Sequence, residues 1–114
     1  MKKVPNVLPL LPTPKFTAPF KAWAVDYLPS LPESPEGFKH LLVMVDPFSK
    51  WTELVPMKSK SSLEVANVIK LYILARFGVP DEMRCDRGRE FSGAVKQLCG
   101  EFGIRYNTIS TKHP

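Results

Sequence analysis

After residue 20 the apolar positions fall into short blocks whose spacing changes along the chain. Ala22 to Leu28 (AWAVDYL) is rich in strand formers, and the prolines and glycine that follow (PSLP, SPEG) supply turn chemistry. His40 to Asp46 (HLLVMVD) is a nearly continuous apolar run, the pattern of a strand buried on both faces. Pro47-Phe48-Ser49-Lys50 makes a tight connection to a third strand, Trp51 to Met57, so this pair should be antiparallel. Pro56 marks the third strand as an edge. Ser61-Ser62-Leu63-Glu64 is a capping box opening a helix that Gly78 and Pro80 stop. Its stripe of Val65, Ala66, Val68, Ile69, Tyr72, Ile73 and Phe77 is widened by Leu71 and Leu74, which predicts burial on two sides. Glu82 to Asp86 (EMRCD) is a short fourth strand. A second helix is expected from Ser92, as N-cap, to Phe102, with Gly103 as its stop, and Ile104 to Ile109 alternates as a fifth strand. The order β-β-β-α-β-α-β predicts a three-layer α/β domain with a five-stranded mixed sheet.

Residues 1–20 do not share this patterning. Eight of the twelve prolines lie in the first 35 residues, too densely for a helix or a central strand, so 1–20 reads as an extended, basic linker and 21–114 as the folded domain. At 114 residues the chain holds one domain, and 44% hydrophobic content is enough for a core. The net charge of +5 is modest, and four lysines (Lys2, Lys3, Lys15, Lys21) precede the first acidic residue. A solvated arm explains that excess, and attraction to a polyanion is the functional reading. No apolar run approaches the ~18 residues that span a bilayer, and no signal-type core is visible. Cys85 and Cys99, with His40 and His113, match neither a disulfide framework nor a zinc template. The expectation is a reduced, intracellular domain.

Two acidic residues stand out by context. Asp26 interrupts an apolar strand, where a charge is costly unless it is paired, metal-bound or turned to solvent. Asp86 ends the fourth strand before Arg87-Gly88, where a turn residue would equally serve. If strands one and four are parallel neighbours, both aspartates come to the carboxyl ends where α/β sheets gather ligands. Two close carboxylates repel, and a hard divalent cation, Mg²⁺ or Mn²⁺, relieves that repulsion. Asp46 reads as a turn residue before Pro47, and His40 and His113 receive no role.

An ordered set of motifs carries a resemblance. WAVDY at 23–27, LLVMVDPFSKW at 41–51, RFGVP at 76–80, DRGREF at 86–91, Leu98-Cys99, Phe102-Gly103-Ile104 and TKHP at 111–114 resemble the catalytic core of retroviral and gypsy-type LTR-retrotransposon integrases. The similarity covers about residues 20–114. It implies an RNase H-like fold, phosphoryl transfer on DNA, and a DDE triad binding two Mg²⁺ ions. Asp26 matches the first aspartate of the triad and Asp86 the second. It implies DNA as partner, a nuclear location, and a linker role for the proline-rich stretch, which follows a zinc-binding domain in such integrases.

The resemblance also predicts a departure. The family's glutamate lies farther beyond the second aspartate than Pro114, so the chain reads as C-terminally truncated, missing the helices that cover part of the sheet. Glu90 belongs to the DRGREF motif and Glu101 to the second helix, and neither replaces it. The 114-residue chain is therefore expected to be catalytically inactive or nearly so, and marginally stable, with strands such as HLLVMVD facing water. The alternative is a non-catalytic nucleic-acid-binding or protein-interaction module derived from a retroelement; a related nuclease or transposase is a third reading. Lys50, Lys58, Lys60, Arg84, Arg87, Arg89 and Lys112 are candidate phosphate contacts, with Arg87, Arg89 and Lys112 the foremost. The extra apolar width of the helix at 62–77 makes it the candidate surface for a homo-oligomer.

Overall fold

The computed structural model describes residues 18–28, 32–59, 61–86, 91 and 93–109; the side chains of Asp86 and Ile109 are outside that description. The first 17 residues, most of the expected linker, also lie outside the described residues. Five strands form one mixed sheet: β1 (Ala22–Leu28), β2 (His40–Val45), β3 (Thr52–Met57), β4 (Glu82–Asp86) and β5 (Arg105–Ile109). The spatial order is β3-β2-β1-β4-β5. The hairpin-connected pairs β1–β2 and β2–β3 are antiparallel, whereas β1–β4 and β4–β5 are parallel, as crossover connections require. Pro56 sits on the edge strand β3, where a missing N–H costs no ladder bond.

Alternation sorts the strands' side chains between two faces. Trp23, Val25 and Tyr27 of β1, Leu42 and Met44 of β2, and Met83 and Cys85 of β4 enter one hydrophobic core with Val65, Ile69, Ile73, Val95 and Leu98 from the helices. Both described helical segments therefore cover the same face. Ala22, Ala24 and Asp26 of β1 fall on the other face with Glu82 and Arg84 of β4. β2 is buried at every residue but Leu41, so the expected exposure of HLLVMVD is not what the structure shows. Its central place, flanked by β1 and β3, is the reason.

The first helical segment runs as α1 (Ser62–Ile69), a π-helical turn over Lys70–Leu74, and α2 (Ala75–Phe77). Ser61 caps it by accepting the Glu64 N–H at 3.3 Å. The return half of the capping box is diverted: the Glu64 carboxylate accepts from the Ser59 hydroxyl, and the Ser61 N–H donates to that same hydroxyl. Gly78, at φ +90°, ends the segment. The expected burial on two sides does not hold, because Leu63 and Leu71 are 64% and 65% exposed. A helix on one face of a sheet buries one side, and the π turn shifts residues after 70 relative to α-helical spacing. α3 (Ala94–Phe102) ends on Gly103 in the left-handed region, as expected. At its start, Gly93 offers no side-chain cap, and the Ser62 hydroxyl accepts the Ala94 N–H at 2.7 Å. Ser92, the expected cap, is outside the described residues.

Candidate active site

The parallel register of β1 and β4 runs Ala22 with Glu82, Trp23 with Met83, Ala24 with Arg84 and Val25 with Cys85. One residue further along each strand stand Asp26 and Asp86. Neighbouring strands lie about 4.8 Å apart, so the two positions are side by side at the carboxyl end of the parallel pair. On its other side Asp26 is paired with Val43 of β2. The Asp26 carboxylate is half-buried and accepts the Tyr27 N–H at 2.9 Å.

The strand end carrying Asp26 is anchored from the opposite face. The Tyr27 hydroxyl donates to the Ser59 carbonyl at 2.7 Å, and its ring stacks on His40 with centroids 5.4 Å apart. Asp26 is thereby held on a strand with little freedom to twist. An acidic residue bordered by Val43 and a second aspartate position is a hard-oxygen donor set of the kind that Mg²⁺ or Mn²⁺ prefers. Among the described residues no group of three His, Cys, Asp or Glu side chains converges. Asp26 has the donor chemistry a hard divalent cation takes, and the side chain of Asp86 lies outside the described residues.

Below this rim, on the same face, lies a buried network that sequence reading missed. Glu82 accepts from Arg84 Nε at 2.7 Å, Arg105 Nη2 at 2.8 Å and Asn107 Nδ2 at 3.0 Å. Burial pushes the Glu82 carboxyl up, but the bonds from Asn107, Arg105 and Arg84, with the charge of Arg84, outweigh it and hold the group at about 2. The alanines at 22 and 24, registered beside Glu82 and Arg84, leave room for the pair. The detectable signal was charge alternating with apolar residues in EMR, joined to Arg105 and Asn107 at the same period.

The basic candidates separate by position. Arg84 is buried against Glu82, which removes it from the phosphate contacts. Lys50 lies in the β2–β3 turn, beyond the amino end of β1 and so opposite the acidic rim. Lys58 follows the end of β3 that pairs with His40, on the rim side, with Nζ 5.2 Å from the Phe38 ring centroid. Lys60, Arg87, Arg89 and Lys112 are outside the described residues. Asp46 is the turn residue expected: buried, it accepts from the N–H groups of Phe20, Phe48 and Ser49 and from the Ser49 hydroxyl.

The class defined by this architecture is an α/β, RNase H-like fold with an acidic pair at the carboxyl ends of its central parallel strands. The family model described as "Integrase core domain" matches residues 17–114, and the chain belongs to that family. It is 36% identical over 98 residues to the Gag-Pol polyprotein of avian reticuloendotheliosis virus, covering 85% of this chain and 8% of the polyprotein. It is 39% identical over 93 residues to the Gag-Pol polyprotein of gibbon ape leukemia virus, covering 81% and 6%. The Transposon Tf2-3 polyprotein of Schizosaccharomyces pombe is 34% identical over 102 residues, covering 89% and 7%. The chain thus spans less than a tenth of these relatives. Among solved structures, the simian T-cell lymphotropic virus intasome in complex with PP2A regulatory subunit B56 gamma aligns with TM-score 0.71 at 22% identity, covering 85% of this chain and 37% of that one. The HTLV-2 integrase catalytic core domain in complex with magnesium, a trimeric form, aligns with TM-score 0.68 at 24% identity, covering 82% and 62%. At those identities the alignments establish the shared fold.

Proposed function

We propose that this chain is the core of a DNA-integrating phosphoryl transferase of the retroviral or gypsy-type LTR-retrotransposon kind. The observation that carries the reading is the β1–β4 register, which sets position 26 beside position 86. Residues 21–114 form the core, and 1–20 the linker that leads into it. Asp26 and Asp86 would hold Mg²⁺ or Mn²⁺, which when bound activates the attacking oxygen and stabilises the leaving one. This chain's own contribution is to hold two carboxylates on adjacent strands, with Tyr27 fixing the strand end and Val43 limiting water on one side. The DNA backbone is met by Arg87, Arg89 and Lys112, with Lys58 on the same side of the sheet.

Asp26 and Asp86 match two carboxylates of the triad and are the proposed ligands of one cation. The relatives' retroviral and transposon polyproteins support the integration reading, and the nucleus is the proposed site of action. The exposed outer side of the first helical segment, Leu63, Leu71 and Tyr72, is proposed as a surface for self-association. Mn²⁺ titration monitored by electron paramagnetic resonance tests the site. The intact chain should take up one ion, and Asp26→Asn or Asp86→Asn should weaken it at least about tenfold. Unchanged affinity in both variants, with the fold retained, would overturn the assignment.

A further inference from the structure

The DPFSKW motif at 46–51 lies at the end of the sheet opposite the acidic rim, where Trp51 joins a cluster of aromatic rings. Phe20, Phe77 and Trp51 form a continuous shelf of rings, with centroids 4.3 Å apart for Phe20–Phe77 and 6.3 Å for Phe77–Trp51. Trp51 is 43% exposed. The shelf is braced. The Trp51 indole N–H donates to Glu53 at 2.6 Å, the other Glu53 oxygen accepts from Arg76 at 2.8 Å, and the Arg76 guanidinium lies 5.0 Å from the Phe77 ring centroid. An exposed tryptophan held by a carboxylate is a preorganised apolar platform, and such platforms are where proline-rich segments dock.

We propose that this shelf is the docking site of the chain's own proline-rich stretch, Pro5 to Pro14. The argument for that occupant is where the described chain begins. Phe20, three residues into the described chain, is itself one ring of the shelf, held at φ +64° with its N–H donating to buried Asp46 at 3.1 Å, so the upstream chain leaves from the shelf. The 17 residues upstream contain Pro5, Pro9, Pro12 and Pro14 among leucines and two valines. Polyproline II chain advances about 3.1 Å per residue with three residues per turn, so Pro9 and Pro12 share an edge and the two ring steps are crossed within four residues. Tethering supplies a high local concentration, so weak stacking of prolines on indole and phenyl faces suffices. The inference is independent of the acidic rim, because it uses only the opposite end of the sheet.

Acrylamide quenching of tryptophan fluorescence in the full chain tests it. Trp23 is fully buried, so quenching reports on Trp51. Replacing Pro9, Pro12 and Pro14 together by Ser takes away the prolines that the proposed docking uses, without touching the core, and should raise the quenching constant about twofold. A synthetic peptide of residues 1–17, added in excess to that variant, should reverse the change. Circular dichroism of both proteins confirms an equal fold. Equal quenching in the two proteins would overturn the proposal. Shielding that grows with protein concentration would also overturn it, by placing a second copy on the shelf instead.

Discussion

Glu82 carries an unusual load for one carboxylate, taking bonds from Arg84, Arg105 and Asn107 across two strands. Its folded value of about 2 lies below the ordinary 4.5, so the unfolded chain binds its proton first as pH falls. The contribution is complete above about pH 4.5 and is lost as pH falls through about 2. Its size is on the order of 3 kcal/mol. Urea unfolding at pH 5 and pH 2.5 should show Glu82→Gln losing less stability between the two than the natural chain. Trp23 gives a second test. Its indole N–H is buried without a hydrogen-bond partner among the described residues, so Trp23→Phe removes that donor along with some volume. That variant should stay within about 1 kcal/mol of the natural chain, whereas Trp23→Ala should cost roughly 3–5 kcal/mol. Asp26 drew notice in the sequence because a charge in an apolar strand needs a reason. Glu82 did not, because its partners Arg105 and Asn107 are more than twenty residues away in the chain.

At the scale of elements, local chemistry wrote most of what formed. Ser61 caps α1, Gly78 and Gly103 end the helical segments, and Pro56 marks an edge, each because backbone groups at those positions have few alternatives. The start of α3 shows where local reading stops. Its first amide is satisfied by Ser62, from another helix, and a Cβ on Gly93 would meet that hydroxyl at 3.2 Å. Ser62→Ala should destabilise the fold by about 1 kcal/mol, read as a lower midpoint in urea. Hydrogen exchange should place the loss at the start of α3 as well as in α1. The π turn at 70–74 was equally hidden, since hydrophobic spacing assumes 3.6 residues per turn. Together with packing on one face of the sheet, it keeps the widened stripe from burial on two sides.

The whole molecule brings together residues that the chain keeps far apart. Placing β4 beside β1 aligns positions sixty residues apart, and no hairpin or helix motif dictates that choice. A cation held there binds only the folded state, so saturating Mn²⁺ should raise the thermal midpoint of the chain and leave Asp26→Asn unchanged. At about a hundredfold excess over its dissociation constant, the ion adds about 2.7 kcal/mol. The same global packing leaves Leu63 and Leu71 in solvent. Leu71→Glu should reduce self-association in sedimentation velocity while the monomer melts as before, since an exposed side chain contributes little to the core.

By itself, the sequence determined the order and type of the elements, the two aspartates worth testing, and the motif series that resembles the integrase core. Those features depend on periodicity, caps and turn residues that act over a few neighbouring positions. Only the tertiary structure decided that β1 and β4 are adjacent, in a register that pairs Val25 with Cys85 and so brings positions 26 and 86 to the same strand end. It alone turned Arg84 inward onto Glu82, and it alone gathered Phe20, Trp51 and Phe77 into one shelf. Strand pairing and burial are settled by contacts between distant segments competing for one core, and that competition leaves no local trace.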